Sequence, residues 1–154
     1  MSKFREQYER MRRGYERFAA IDQGLEHFTA SDNYIDEIYA FFQNCYHLKD
    51  WIRNDSSVPD NARSDVEVFI NSSQPLRLCA DICNTLKHLT LTRSRSDQQP
   101  SFGPKHFALE IGGAAKPTIR LKYEVTTASG SEDAFSLATD CVSDWDGFLQ
   151  RHHL

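Results

Sequence analysis

The segment SDNYIDEIYAFFQNCYHLKDWIRN, residues 31–54, most constrains the fold of this chain. Tyr34, Ile35, Ile38, Tyr39, Phe42, Tyr46, Trp51 and Ile52 recur at helical spacing and make it apolar over a broad face. A helix apolar over so much of its surface has to be central, with other elements packed around it. Ser31 is placed to cap it and Asp32 lies in its first turn, so the helix is expected over about 32–54.

The neighbouring segments supply its packing partners. Phe4, Tyr8, Met11, Tyr15, Phe18, Ile21 and Leu25 step by three and four, which predicts an amphipathic helix over about 3–28. Arg12, Arg13 and Arg17 lie off that stripe. After the loop NDSSVPDNARSD, the inward positions Val66, Phe69 and Ile70 predict a shorter helix over about 60–71. Ser73 can cap a fourth helix running to about Leu89, with Pro75 in its first turn, where a missing N–H costs little. The linker TRSRSDQQPSFGP is polar, carries Pro100, Gly103 and Pro104, and is expected to be mobile.

The pattern then changes period. HFALEIGG and TIRLKYEVTT alternate in β-branched and aromatic residues, which predicts a β-hairpin over about 106–127 with GGAAKP as its turn. SGSEDAFSLATDCVSDWDGFLQ returns to helical spacing. Ser131 is its expected cap, with Glu132 and Asp133 in the first turn and Phe135, Leu137, Ala138, Cys141, Val142, Trp145 and Phe148 inward. The expected fold class is mainly α. It is a single domain over 1–154, an up-and-down helical bundle of about five helices with a β-hairpin inserted before the C-terminal helix. An isolated hairpin is marginally stable, so this one must pack on helices or pair with another chain.

Composition narrows the partners. A chain of 154 residues with a formal net charge of −4 has no global basic field, so nucleic acid could be held only by a local patch. The longest apolar runs, such as IYAFF at 38–42, are too short to span a bilayer. The charged N-terminal stretch has no signal-peptide core, and the expected location is cytoplasmic, without membrane contact. Cys45, Cys79, Cys83 and Cys141 lie in predicted helices beside apolar neighbours and read as reduced thiols acting as small hydrophobes. Cys79 and Cys83 could chelate a metal from one helix, but their spacing is not that of a zinc knuckle and no second pair follows. Neither GxSxG nor HExxH occurs, and GGAAKP lacks P-loop spacing. No metal and no cofactor is called for.

The fourth helix carries the most distinctive polar pattern. Arg77, Asp81, Asn84 and His88 fall within about 60° of one another, opposite Leu78, Cys79, Ile82, Cys83, Leu86 and Leu89. Lys87 sits beside His88. One account is a solvated face with an i,i+4 pair between Arg77 and Asp81. The other is a site. Histidine changes charge near neutrality and would give His88 proton transfer, while Asn84 orients the substrate and Asp81 fixes the geometry of the stripe. Lys87, Arg93 and Arg95 would hold phosphate or stabilise developing negative charge. That set suits cleavage of a phosphodiester by a 2′-hydroxyl, which needs proton transfer and cations but no metal. On the second helix, Gln43, His47, Asp50 and Asn54 share a face. They form either a polar surface or a second tier in which His47 or Asp50 faces His88 and tunes it. His152 and His153 lie at the terminal end, where catalytic residues are rare.

The helix ending in Asn84-Thr85-Leu86-Lys87-His88 resembles the signature helix of HEPN (higher eukaryotes and prokaryotes nucleotide-binding) domains. The order FFQNCYHLKDWI at 41–52, LCADICNTLKHL at 78–89 and WDGFL at 145–149 is similar to that of bacterial proteins of HEPN-like type. The family motif is an Arg, a polar residue such as Asn, and a His four to six residues beyond the Arg. Asn84 and His88 match the second and third; Cys83 stands where the Arg would be. The resemblance implies an α-helical bundle, a homodimer, and RNA as ligand. In many members it implies metal-independent endoribonuclease activity of a toxin–antitoxin or defence type, with an antitoxin or toxin as partner protein. With Cys83 at the Arg position, Lys87 or Arg77 would have to supply the cation. The alternative is a catalytically inactive HEPN-like interaction or regulatory module.

Overall fold

Helix α2 (Ser31–Asn54) lies at the centre, packed against α1 (Lys3–Gln23), α3 (Asp60–Ser72), α4 (Gln74–His88) and α5 (Ala134–Arg151). Its apolar breadth is used: Ile38, Phe41, Phe42, Cys45, Leu48 and Ile52 are fully buried. The computed structural model describes residues 2–89, 91–111 and 116–154. The chain is mainly α, with five helices and a small antiparallel sheet among the described residues. None of these helices is long and apolar enough to cross a membrane.

Helix α1 is shorter than its apolar stripe suggests. Gly24 has φ 113°, which favours glycine, and its N–H closes the last turn on the Ala20 carbonyl at 2.9 Å. The next residues leave the helix as strand β1 (Leu25–Glu26), so the expected continuation to residue 28 does not occur. At its other end Ser2 makes no side-chain cap. The missing acceptor comes from Asp55, just after α2, whose Oδ2 accepts the Phe4 N–H at 2.9 Å. Ser31 is the first residue of α2 rather than its cap; Ala30 occupies the cap without a side-chain bond. Ser73 does cap α4, accepting the Leu76 N–H at 3.1 Å, and Pro75 sits in the first turn.

The hairpin is part of a larger sheet. Strand β3 (Thr118–Thr127) is central and pairs antiparallel with β1, β2 (Ser101–Glu110) and β4 (Gly130–Asp133). Ile119, Leu121, Tyr123 and Val125 alternate along β3 and bury against the helices. Strand β2 begins at Ser101, five residues earlier than expected. Its register with β3 shifts between Phe102 and Lys105, across Gly103 and Pro104. Pro104 has no N–H for the ladder, and a Cβ on Gly103 would lie 2.5 Å from Thr126 Oγ1. Of the expected turn GGAAKP, residues 112–115 lie outside the described residues.

Ser131 does not cap the last helix. Residues 130–133 pair with β3, and α5 starts at Ala134 with Asp133 as its cap, accepting the Ser136 N–H at 2.9 Å. Asp133, expected in the first turn, becomes the cap because strand pairing holds residues 130–133 extended. Within α5, Trp145 is fully buried and its indole N–H donates to the Cys45 carbonyl at 3.1 Å, tying α5 to α2.

Candidate functional site

Helix α4 is not amphipathic in its middle. Leu76, Leu78, Cys79, Ala80, Asp81, Ile82 and Cys83 are all buried, so Asp81 lies in the interior rather than on a solvated face. A buried carboxylate needs donors. They come from the stretch expected to be mobile. Asp81 Oδ1 accepts the Arg95 N–H at 2.8 Å. Its Oδ2 accepts the Ser96 N–H at 3.0 Å and the hydroxyls of Ser94 and Ser96 at 2.7 and 2.6 Å. The linker is also tied further along: Gln98 accepts the Ala128 N–H at its carbonyl and the Ser129 hydroxyl at its side chain. The segment is therefore a fixed loop. Asp81 sets the position of that loop and makes no ion pair with Arg77 in the stripe.

Folding residues 91–95 back along α4 creates a cleft of about 660 Å³ lined by Tyr46, Asn71, Asn84, His88, Arg93 and Arg95, together with Leu91, Thr92 and Ser94. Two helix residues and two loop arginines singled out from the sequence thus share one concavity. Arg93 is exposed at its rim. Arg95 is oriented by the Glu67 carboxylate at 3.1 Å and lies 5.8 Å from the Tyr46 ring centre. Glu67 also takes Lys49 and Arg53, each at 3.1 Å. Burial alone would raise Glu67; hydrogen bonds and charge from Lys49 and Arg95 more than offset this and hold it below the usual carboxylate range. Burial pushes the Tyr46 phenol up, which keeps it a neutral hydroxyl. Lys49, Arg53 and Arg95 thus converge on the Glu67 carboxylate, with Asp50 also paired to Lys49. The charged side chains that line the cleft itself are the two arginines, Arg93 and Arg95.

The other residues singled out from the sequence lie elsewhere. Arg77 is eleven residues before His88, about 16 Å along the helix, and bonds to Gln74. It does not reach the cleft. Lys87 is exposed on the flank of α4 and is not among the lining residues. Asp50 pairs with Lys49 at 3.0 Å, and His47 is exposed beside Tyr46; neither lines the cleft with His88. Leu89, expected inward, is exposed and ends α4 with φ 65°. Cys83 is buried and its thiol is pushed up to about 11, first by burial. Tyr46 and Asn71 were not singled out for the site. Tyr46 read as part of an apolar stripe and Asn71 only as the end of the expected third helix, so neither carried a signal.

Chemically, the cleft offers two guanidiniums, an imidazole, two amides and hydroxyls. It can hold an anion with planar or tetrahedral oxygens and can move one proton. Among the described lining residues no carboxylate accompanies His88. Comparison of the chain with family models, with curated proteins and with solved structures finds no match.

Proposed function

We propose that this chain is a HEPN-like RNA-binding protein of up-and-down bundle type, and that the cleft between α4 and the 91–95 loop takes an RNA phosphodiester. One observation carries this reading: Asp81 pins the loop so that Arg93 and Arg95 stand with Asn84 and His88 around one cavity. Arginines hold phosphate oxygens, and Asn84 orients the ribose or the phosphate. In the cleaving form, His88 takes the proton of the 2′-hydroxyl as that oxygen attacks phosphorus. The resulting imidazolium then protonates the leaving 5′-oxygen. The products are a 2′,3′-cyclic phosphate and a 5′-hydroxyl, with no metal step.

A second reading has its own observation. Cys83, at the family's Arg position, is buried and remains a neutral thiol. That favours an inactive interaction or regulatory module, bound to a second copy or to an antitoxin- or toxin-type partner. Incubating the protein with total RNA in a metal chelator separates the two. Binding with cleavage that His88→Ala abolishes supports the ribonuclease. Binding without cleavage supports the module. Cleavage unchanged in His88→Ala overturns the site.

A further inference from the structure

The core holds a second cluster of chemistry-bearing side chains, independent of the RNA cleft. Cys45 on α2, Cys79 on α4 and Cys141 on α5 bring their sulfurs within 4.8 Å of one another. All three residues are fully buried, and all three are free thiols. Cys79 and Cys83, the pair that shares one helix, are not the chelating set. Cys79 joins sulfurs from two other helices instead, which sequence spacing could not indicate. Cys79 Sγ lies 3.4 Å from the Phe42 carbonyl, Cys141 Sγ lies 3.3 Å from the Pro75 carbonyl, and the Trp145 indole holds the Cys45 backbone. The three thiols are thus positioned by the packing of α2, α4 and α5.

Geometry and ligand type narrow the occupant. Three sulfurs no more than 4.8 Å apart share a point at most about 2.8 Å from each, against about 2.3 Å for a metal–thiolate bond. An inward shift of at most about 0.5 Å per sulfur closes any difference, within the range of a small χ1 rotation. Thiolates select soft ions. Structural zinc takes four ligands, whereas among the described residues no His, Asp, Glu or further Cys completes this set. The Asp144 carboxylate, on the same helix as Cys141, is engaged by the Ser73 hydroxyl at 2.5 Å.

We propose that Cys45, Cys79 and Cys141 form a three-coordinate sulfur site for one soft, thiophilic ion of the copper(I) class. Binding is ligand exchange without electron transfer. Metal–sulfur bonds form, S–H bonds break, and the released protons go to solvent. Because the ligands come from three helices, the ion links α2, α4 and α5, and its binding adds to the stability of the fold.

The test is refolding of the reduced protein from denaturant, without oxygen, in the presence of one equivalent of copper(I). Refolding removes burial as a barrier to entry. The expected result is one copper per chain retained against a competing chelator, three sulfur neighbours by X-ray absorption, and a raised Tm. Cys83→Ser should retain the ion, while Cys45→Ser and Cys79→Ser should weaken it at least tenfold. Failure of the refolded wild-type protein to retain copper overturns the proposal. So does retention by the Cys45→Ser/Cys79→Ser/Cys141→Ser variant, or a zinc complex with four ligands formed in preference to copper. If a single variant does not refold, the sulfur count in the wild-type protein decides alone.

Discussion

Asp81 holds Ser96 twice, accepting its backbone N–H at 3.0 Å and its hydroxyl at 2.6 Å through the same carboxylate oxygen. That contact, with those to Ser94 and Arg95, turns a polar linker into one wall of the cleft. Asp81→Ala leaves the Arg95 and Ser96 amides without their acceptor in a buried setting. A loss of about 3 kcal/mol of stability is expected. Urea unfolding of the variant beside the wild type measures it, and a loss below about 1 kcal/mol would show that the loop is held by other means.

Arg93 contributes charge at the rim rather than packing. Arg93→Ala should leave the urea midpoint unchanged. RNA affinity should fall at every sequence tested, and the dependence of log affinity on log salt should drop by about one contact. Titrations of a labelled RNA at several salt concentrations read both quantities. An unchanged salt slope would remove Arg93 from the proposed interface.

Placing at position 83 the arginine that the HEPN motif carries should fail. Cys83→Arg places a guanidinium at a buried position among α4 core residues. The expected outcome is destabilisation by more than about 3 kcal/mol, with no gain in RNA cleavage. A stable variant with new ribonuclease activity would mean that position 83 can turn toward the cleft.

Asp55 accounts for an acid-sensitive part of the stability. The Phe4 N–H, followed by the hydroxyl and N–H of Ser57, holds its carboxyl down to about 2. A folded-state pKa below the unfolded one stabilises the protein above about pH 4 and ceases to do so as pH falls through about 2. Asp55→Asn should therefore cost about 1 kcal/mol at neutral pH, with the gap from wild type closing below pH 4. Unfolding measured at several pH values checks this; a gap that widened toward acid would contradict it.

Helix identity was largely legible from the sequence because periodicity is local. The stripes of α1, α2 and α5, and the Ser73 cap with Pro75, need no knowledge of neighbours. The change of period at the hairpin was legible for the same reason. So was the placement of Asn84 and His88 on one side of α4, since both follow from 100° per residue. Periodicity says which residues share a face; it does not say what covers that face.

Tertiary structure decided the rest. Asp81 and Asn84 lie on the same stripe, yet Asp81 is buried because three loop residues satisfy it, while Asn84 opens onto a cleft. The 91–96 loop has no repeating pattern to read, and its position rests on hydrogen bonds to a carboxylate ten or more residues away in sequence. Strand pairing with β3 ended α1 early and moved the cap of α5 from Ser131 to Asp133. The convergence of Cys45, Cys79 and Cys141 depends on how three helices pack, and no spacing within one helix encodes it. Local sequence determined the elements and their faces. Long-range burial and hydrogen-bond satisfaction determined which of those faces became core, cleft or thiol cluster.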